Sequence, residues 1–144
     1  MVIPTDKIKL TKKPMTTPGA IAEVFFSILQ TENEIDQDKE HFWVLGVDTK
    51  NRIKYVELVS LGILDASCIH ARETFRLAIG RAVSRIATIH NHPSGDPEPS
   101  SQDINTTKQL LESGKILGIE LLDHIIIGDI KDRRFFSFRE GGLV

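Results

Sequence analysis

The sequence predicts an α/β (α+β) fold: a single domain with a mixed β-sheet flanked by about three helices. Three observations carry that expectation. Apolar residues recur at helical spacing in three separate stretches, and runs rich in β-branched and aromatic residues lie between and after them. At 144 residues with 40% hydrophobic content, the chain is sized for one compact hydrophobic core. Their order, αββαβαββ, describes a mixed sheet packed against helices.

The first fourteen residues, MVIPTDKIKLTKKP, carry four lysines and lack the apolar stretch of a signal peptide. Residues 1–15 are therefore expected to form a mobile or loosely docked tail, with the domain occupying 16–144. Thr17 is placed to cap a first helix, with Pro18 at its first position. Ile21, Val24, Phe25 and Ile28 give that helix one apolar face. Thr31 to Lys39 is polar and acidic and reads as a loop or a frayed helix end. His41–Val47 and Ile53–Leu61 read as strands of a hairpin joined at Asp48-Thr49-Lys50-Asn51. A second helix is expected over 71–84, with Phe75, Ala78, Ile79, Ala82 and Val83 facing inward. Arg85–His90 is a short apolar strand that stops at a loop with three prolines and a glycine. Ser100 opens a third helix, with Ile104, Thr107 and Leu111 inward and an end near Gly114. Ile119–Ile127 reads as a buried strand and Phe135–Phe138 as an edge strand.

Composition narrows the function classes. Eighteen Lys and Arg against twenty Asp and Glu leave a formal charge of −2, which argues against a dedicated nucleic-acid binder. The one cysteine, Cys68, excludes an internal disulfide and a cysteine-based zinc cluster, and points to a reducing cytoplasm. No stretch approaches the roughly 20 apolar residues that span a bilayer, so no membrane role is expected.

The chemistry concentrates in HNHPSGDPEPSSQD, residues 90–103. His90 and His92 are separated by one residue at a strand end, where the period of two turns both imidazoles the same way. Two imidazoles on one face begin a zinc site, and a catalytic site needs a third protein ligand. Asp103, in the first turn of the following helix, is the natural candidate. Ser100-Ser101-Gln102-Asp103 also reads as a helix capping box, in which Asp103 serves only exposed backbone N–H groups.

The complete spacing is His-x-His, seven residues, Ser, two residues, Asp. It resembles the motif of the JAMM (MPN) metallopeptidase-like fold, and the wording HNHPSGDPEPS resembles the RadC family within it. Glu40-His41-Phe42 through Leu45-Gly46-Val47-Asp48, Ile69-His70-Ala71-Arg72-Glu73, Leu122-Asp123-His124-Ile125-Ile126-Ile127-Gly128 and Ser137-Phe138 follow the same family in the same order. The likeness covers roughly residues 16–142. It implies a JAMM/MPN-like domain of cytidine-deaminase-like architecture, with Zn2+ on His90, His92 and Asp103. It also implies catalytic roles for Glu40, as the group that moves a proton from water to the leaving group, and for Ser100, as a hydrogen-bond donor to the developing oxyanion. Glu73 and Glu98 are weaker candidates for the proton carrier. Two departures stand out: there is no room before Thr16 for the helix-hairpin-helix domain many members carry, and Ala71 stands where proline is common.

Among the remaining histidines, His124 is expected to be a hydrogen-bonded structural residue, with an Asp123–His124 pair orienting the site as the alternative. His70 reads as structural or surface-facing, His41 as pointing away from Glu40, and Cys68 as a packed apolar residue. The leading expectation is a metal-dependent peptidase or isopeptidase with a peptide or protein substrate. Two others stand beside it: a non-enzymatic metal-binding interaction module, and a DNA-repair-associated protein, the latter not supported by the net charge. Zinc deaminase chemistry is excluded because the Pro-Cys-x-x-Cys element is missing. Substrate identity and oligomeric state are not encoded in any pattern.

Overall fold

A computed structural model describes residues 1–8, 13–62 and 69–144. Among them six strands form one mixed sheet: β1 (Val2–Ile3), β2 (Glu40–Val47), β3 (Ile53–Gly62), β4 (Arg85–Asn91), β5 (Glu120–Ile127) and β6 (Phe135–Ser137). The strand order is β1-β3-β2-β4-β5-β6. All neighbours are antiparallel except β4 and β5, which run parallel. A parallel pair needs a crossover, and α5 (Ser101–Leu117) supplies it. The other helices are α1 (Pro18–Gln30), α2 (Glu34–Gln37), α3 (Ala71–Thr74) and α4 (Arg76–Gly80).

Helix α1 forms as its sequence predicts. Thr17 accepts a hydrogen bond from the Ala20 backbone N–H, Pro18 occupies the first turn, and Ile21, Val24, Phe25 and Ile28 are buried. They pack on the sheet face that presents Trp43, Leu45, Ala87, Ile89, Ile125 and Ile127. The Phe25 and Trp43 rings meet at 5.4 Å. Each such ring removed from water contributes about 1.5–3 kcal/mol. The opposite face carries Phe42, Val44, Ile86 and Leu121 and is covered by Phe75, Ala78 and Leu110 from α3–α5.

Several expectations are corrected. The described part of residues 1–15 is not a loose tail: β1 pairs with β3, and Ile8 and Met15 are buried in the core. The polar stretch 31–39 contains one helical turn, α2, capped by Asn33. The single helix expected over 71–84 is instead two short ones meeting at Phe75, and Ile79 is exposed. Helix α5 runs past Gly114 to Gly118, the residue whose left-handed φ of 71° ends it. Gly114 lies inside the helix because Ile119 O would sit 2.4 Å from any Cβ there. The buried face of α5 is Thr106, Thr107, Leu110 and Gly114; Thr107 lies inward as expected, whereas Ile104 and Leu111 are only partly buried. Cys68 falls outside the described residues.

Candidate metal centre

The site lies at the C-terminal end of β4 and the N-terminus of α5, the end of a parallel strand where open α/β sheets take ligands. His90 is buried on β4, directly opposite Phe42 of β2. His92 follows the strand and is pinned through its backbone, its N–H donating to Ile127 O at 2.9 Å. Beyond it the chain turns at Gly95 (φ +89°) and passes over Gly128. Asp129 N donates to Gly95 O at 3.1 Å there. A Cβ on Gly128 would stand 2.3 Å from Gly95 O, so only glycine permits this crossing.

Asp103 is delivered by a complete capping box. Ser100 Oγ accepts from Asp103 N at 3.1 Å, and Ser100 N donates to Asp103 Oδ2 at 2.8 Å. The box does not consume the carboxylate. Asp103 Oδ1 lies 3.3 Å from His90 Nε2, and Oδ2 lies 3.3 Å from His92 Nε2. The two Nε2 atoms are 3.0 Å apart. Capping and site chemistry, alternatives in the sequence, are performed here by the same side chain.

The electrostatics follow from that clustering. Burial favours protonation of Asp103, but the adjacent His90 and His92 rings and the backbone N–H of Ser100 outweigh it and hold its carboxyl far below the usual carboxylate range. His90 is pushed down by burial, which outweighs its attraction to Asp103, and stays neutral. His92 is more exposed; burial opposes its protonation, but Asp103 and the Asp96 carbonyl together raise its pKa. Its Nδ1 meets the Asp96 carbonyl at 2.9 Å, and because a carbonyl only accepts, Nδ1 carries the hydrogen. Neutral His92 thus turns the lone pair of Nε2 toward Asp103 and His90.

These three side chains could hold a metal ion. For bonds of 2.0–2.1 Å, adjacent corners of a ligand tetrahedron are about 3.3–3.4 Å apart. Observed separations of 3.0, 3.3 and 3.3 Å come close to one face of that tetrahedron. Two imidazoles and a carboxylate are a donor set that zinc would accept.

Glu40 and Ser100 line the same cleft as the triad, a space of roughly 310 Å3 that also includes Ile69 and Thr106. Glu40 starts β2 on the face it shares with Phe42, the face toward His90. His41 points to the other face and stacks on Trp43, their ring centroids 4.7 Å apart. Glu73 is exposed on α3, and Glu98 is exposed on the loop.

Two residues were missed or only half seen in the sequence. Asn91 ties the strand carrying Glu40 to the strand carrying His90: its Oδ1 accepts from His41 N at 2.6 Å and its Nδ2 donates to Lys39 O at 3.0 Å. The signal was present, as the middle letter of HNH, but nothing in the pattern named its partner. His124 lies behind His90, its Nε2 2.7 Å from His90 Nδ1. Asp123 does not pair with its ring; the Asp123 carboxylate accepts from Ser137 Oγ, Arg139 N and the His124 backbone.

The fold and site together define a single mixed-sheet α/β domain with a His-His-Asp centre able to hold a metal at a parallel strand end. Residues 15–143 match the family described as the RadC-like JAB domain, and the chain belongs to that family. Its curated relatives include a "UPF0758 protein" of Desulforudis audaxviator, 54% identical over 106 residues, 74% of this chain and 45% of the relative. One from Desulforamulus reducens is 48% identical over 116 residues (81% and 50%), and one from Methanosarcina mazei 50% over 109 (76% and 46%). The chain spans about half the length of these relatives. Among the described residues no helix is long and apolar enough to cross a membrane.

Proposed function

We propose that this domain is a zinc-dependent hydrolase of the JAMM metallopeptidase type, cleaving an amide or isopeptide bond in a peptide or protein substrate. The observation that carries the reading is the convergence of His90 Nε2, His92 Nε2 and the Asp103 carboxylate at 3.0–3.3 Å in a cleft that Glu40 and Ser100 also line. Zinc held by these three would polarise a carbonyl and make water nucleophilic near neutral pH. Glu40 would accept a proton from the attacking water and return it to the departing nitrogen, a task that suits a carboxylate in the same cleft. Ser100 uses an oxygen lone pair to cap α5, which leaves its O–H to donate to the carbonyl oxygen as negative charge grows there. Asn91 would hold the Glu40 strand in register with His90 through the turnover.

The test is metal analysis of the purified protein beside two variants. The parent is expected to hold one zinc, Asp103→Ala to lose it, and Glu40→Gln to keep it while hydrolysis of a peptide and isopeptide panel disappears. Stoichiometric zinc in Asp103→Ala would sink the ligand assignment. Zinc in the parent with no cleavage anywhere on the panel would favour a metal-binding interaction module. Sub-micromolar, steeply salt-dependent DNA binding would favour the DNA-associated reading, against the chain's −2 charge.

A further inference from the structure

Behind the three candidate ligands runs a second line of polar groups that the reaction itself does not use. Thr107 Oγ1 lies 2.8 Å from the backbone carbonyl of Asp103 and 3.0 Å from His124 Nδ1. His124 Nε2 in turn lies 2.7 Å from His90 Nδ1. Thr107, His124 and His90 are all buried, so each of these polar atoms must be satisfied inside the protein.

The hydrogens in this line can be placed by elimination. A carbonyl only accepts, so the single Thr107 hydroxyl proton goes to Asp103 O. Thr107 Oγ1 can then only accept from His124, which puts a hydrogen on His124 Nδ1. His124 is enclosed by Phe42, Phe138 and His90, and among the described residues no carboxylate bonds its ring, so it is neutral and its Nε2 is a lone pair. That lone pair accepts from His90 Nδ1, and the neutral His90 ring is left with its own lone pair on Nε2, the atom facing Asp103 and His92.

We propose that Thr107 and His124 are positioning residues that lock His90 in the one neutral tautomer able to ligate a metal. This rests on the metal-centre reading of His90, His92 and Asp103. Without the lock, His90 could place its hydrogen on Nε2 and close one corner of the site. The relay also joins the third ligand to the first: the carbonyl of Asp103 starts the line that ends on the ring of His90. A β-bulge makes the placement possible. Ile86 pairs with Leu121 but Ala87 pairs with Asp123, so Leu122 is an extra residue in β5. The extra residue shifts the alternation and brings His124, rather than Asp123, onto the face of Thr88 and His90.

The experiment reads the tautomers directly, by ring 15N shifts of metal-free protein at pH 8, and separately measures Zn2+ affinity by chelator competition. The parent is expected to show hydrogen on Nδ1 of both His90 and His124. His124→Phe, which keeps the ring volume, should shift His90 toward the Nε2–H form and weaken Zn2+ binding about ten- to a hundredfold. His124→Gln, whose amide oxygen can still accept, should restore both readouts. Thr107→Val should also shift His90 toward the Nε2–H form, and Thr107→Ser should behave as the parent. A purely structural role would lower stability in these variants without moving the His90 tautomer. Finding Nε2–H on His90 in the parent, or an unchanged tautomer and affinity in both His124→Phe and Thr107→Val, overturns the proposal. If the parent takes up no Zn2+, the metal reading fails, while the tautomer measurement still decides whether His124 sets His90.

Discussion

The crossing of Gly128 under Gly95 offers a way to move His92 without touching it. In Gly128→Ala the new methyl would lie 2.3 Å from Gly95 O and 3.0 Å from Pro97 Cδ. That is roughly 1 Å inside a normal contact with the carbonyl. Neither side yields easily, because the oxygen belongs to backbone and Gly128 N is itself bonded to Arg134 O at 2.8 Å. Overpacking of this kind costs about 1–3 kcal/mol. Losing the Asp129–Gly95 hydrogen bond would add about 1 kcal/mol. A total loss of about 2–4 kcal/mol is expected from urea denaturation of metal-free protein. The loop that gives way also carries Asp96 O, the acceptor that orients His92, so Zn2+ affinity should fall at least about tenfold. Gly114→Ala is the control. Its methyl meets Ile119 O at 2.4 Å, but eleven residues along α5 from Asp103, about 16 Å away. It should lose stability and keep its metal affinity. Equal affinity losses in both variants, or none in Gly128→Ala, would refute the link between the crossing and His92.

Metal-free protein should lose stability on acidification from pH 7 to pH 5. Burial depresses the pKa of His90 and His124, so below about 6.5 the unfolded chain takes up protons that the folded one refuses. Each contributes at most about 1.4 kcal/mol per pH unit. The raised pKa of His92 acts the other way, its stabilisation being present at low pH and lost as pH rises through the folded value. Two buried histidines outweigh one partly exposed one, and His124→Gln should flatten the slope; a flat profile in the parent would contradict the burial argument. On the same sheet face but on β3, two strands from His90, Arg76→Met should cost about 1–3 kcal/mol, because it strands the Glu57 carboxylate, 4% exposed, whose Oε1 it meets at 2.7 Å. The double variant Arg76→Met/Glu57→Met should recover most of that loss in the same denaturation assay, and no recovery would mean that the pair was not the cause.

Much of this structure was legible where the chain speaks locally. Thr17-Pro18, the spacing of Ile21, Val24, Phe25 and Ile28, and the Ser100–Asp103 box are short-range signals, and the structure places each as read. The clustering of His90, His92 and Asp103 followed from a strand end and a helix start joined by a short loop. What stayed hidden depends on pairing between distant segments. No local pattern reveals that Leu122 is bulged out of register, and that extra residue separates His124 from Asp123. Asn91 was equally opaque, since its partners lie fifty residues upstream. The break at Phe75 and the exposure of Ile79 were missed because apolar spacing near 3.6 does not show whether one helix or two carries it. The N-terminal residues read as a mobile or loosely docked tail, and the place of Val2–Ile3 in the sheet depends on the free edge of β3, which only the folded topology creates.

The doubled duty of Asp103 has a consequence for what may stand at that position. A capping box asks only for a carboxylate or amide that reaches back to the Ser100 N–H, and glutamate serves there at least as well as aspartate. The metal site asks for more: its oxygens must stop 3.3 Å from two fixed imidazoles, and one additional methylene overshoots that point. A glutamate here would leave a well-formed helix above a spoiled centre. The short side chain at residue 103 therefore meets a requirement that a metal site would impose and a helix cap would not, and it lets two readings of the same four letters be told apart.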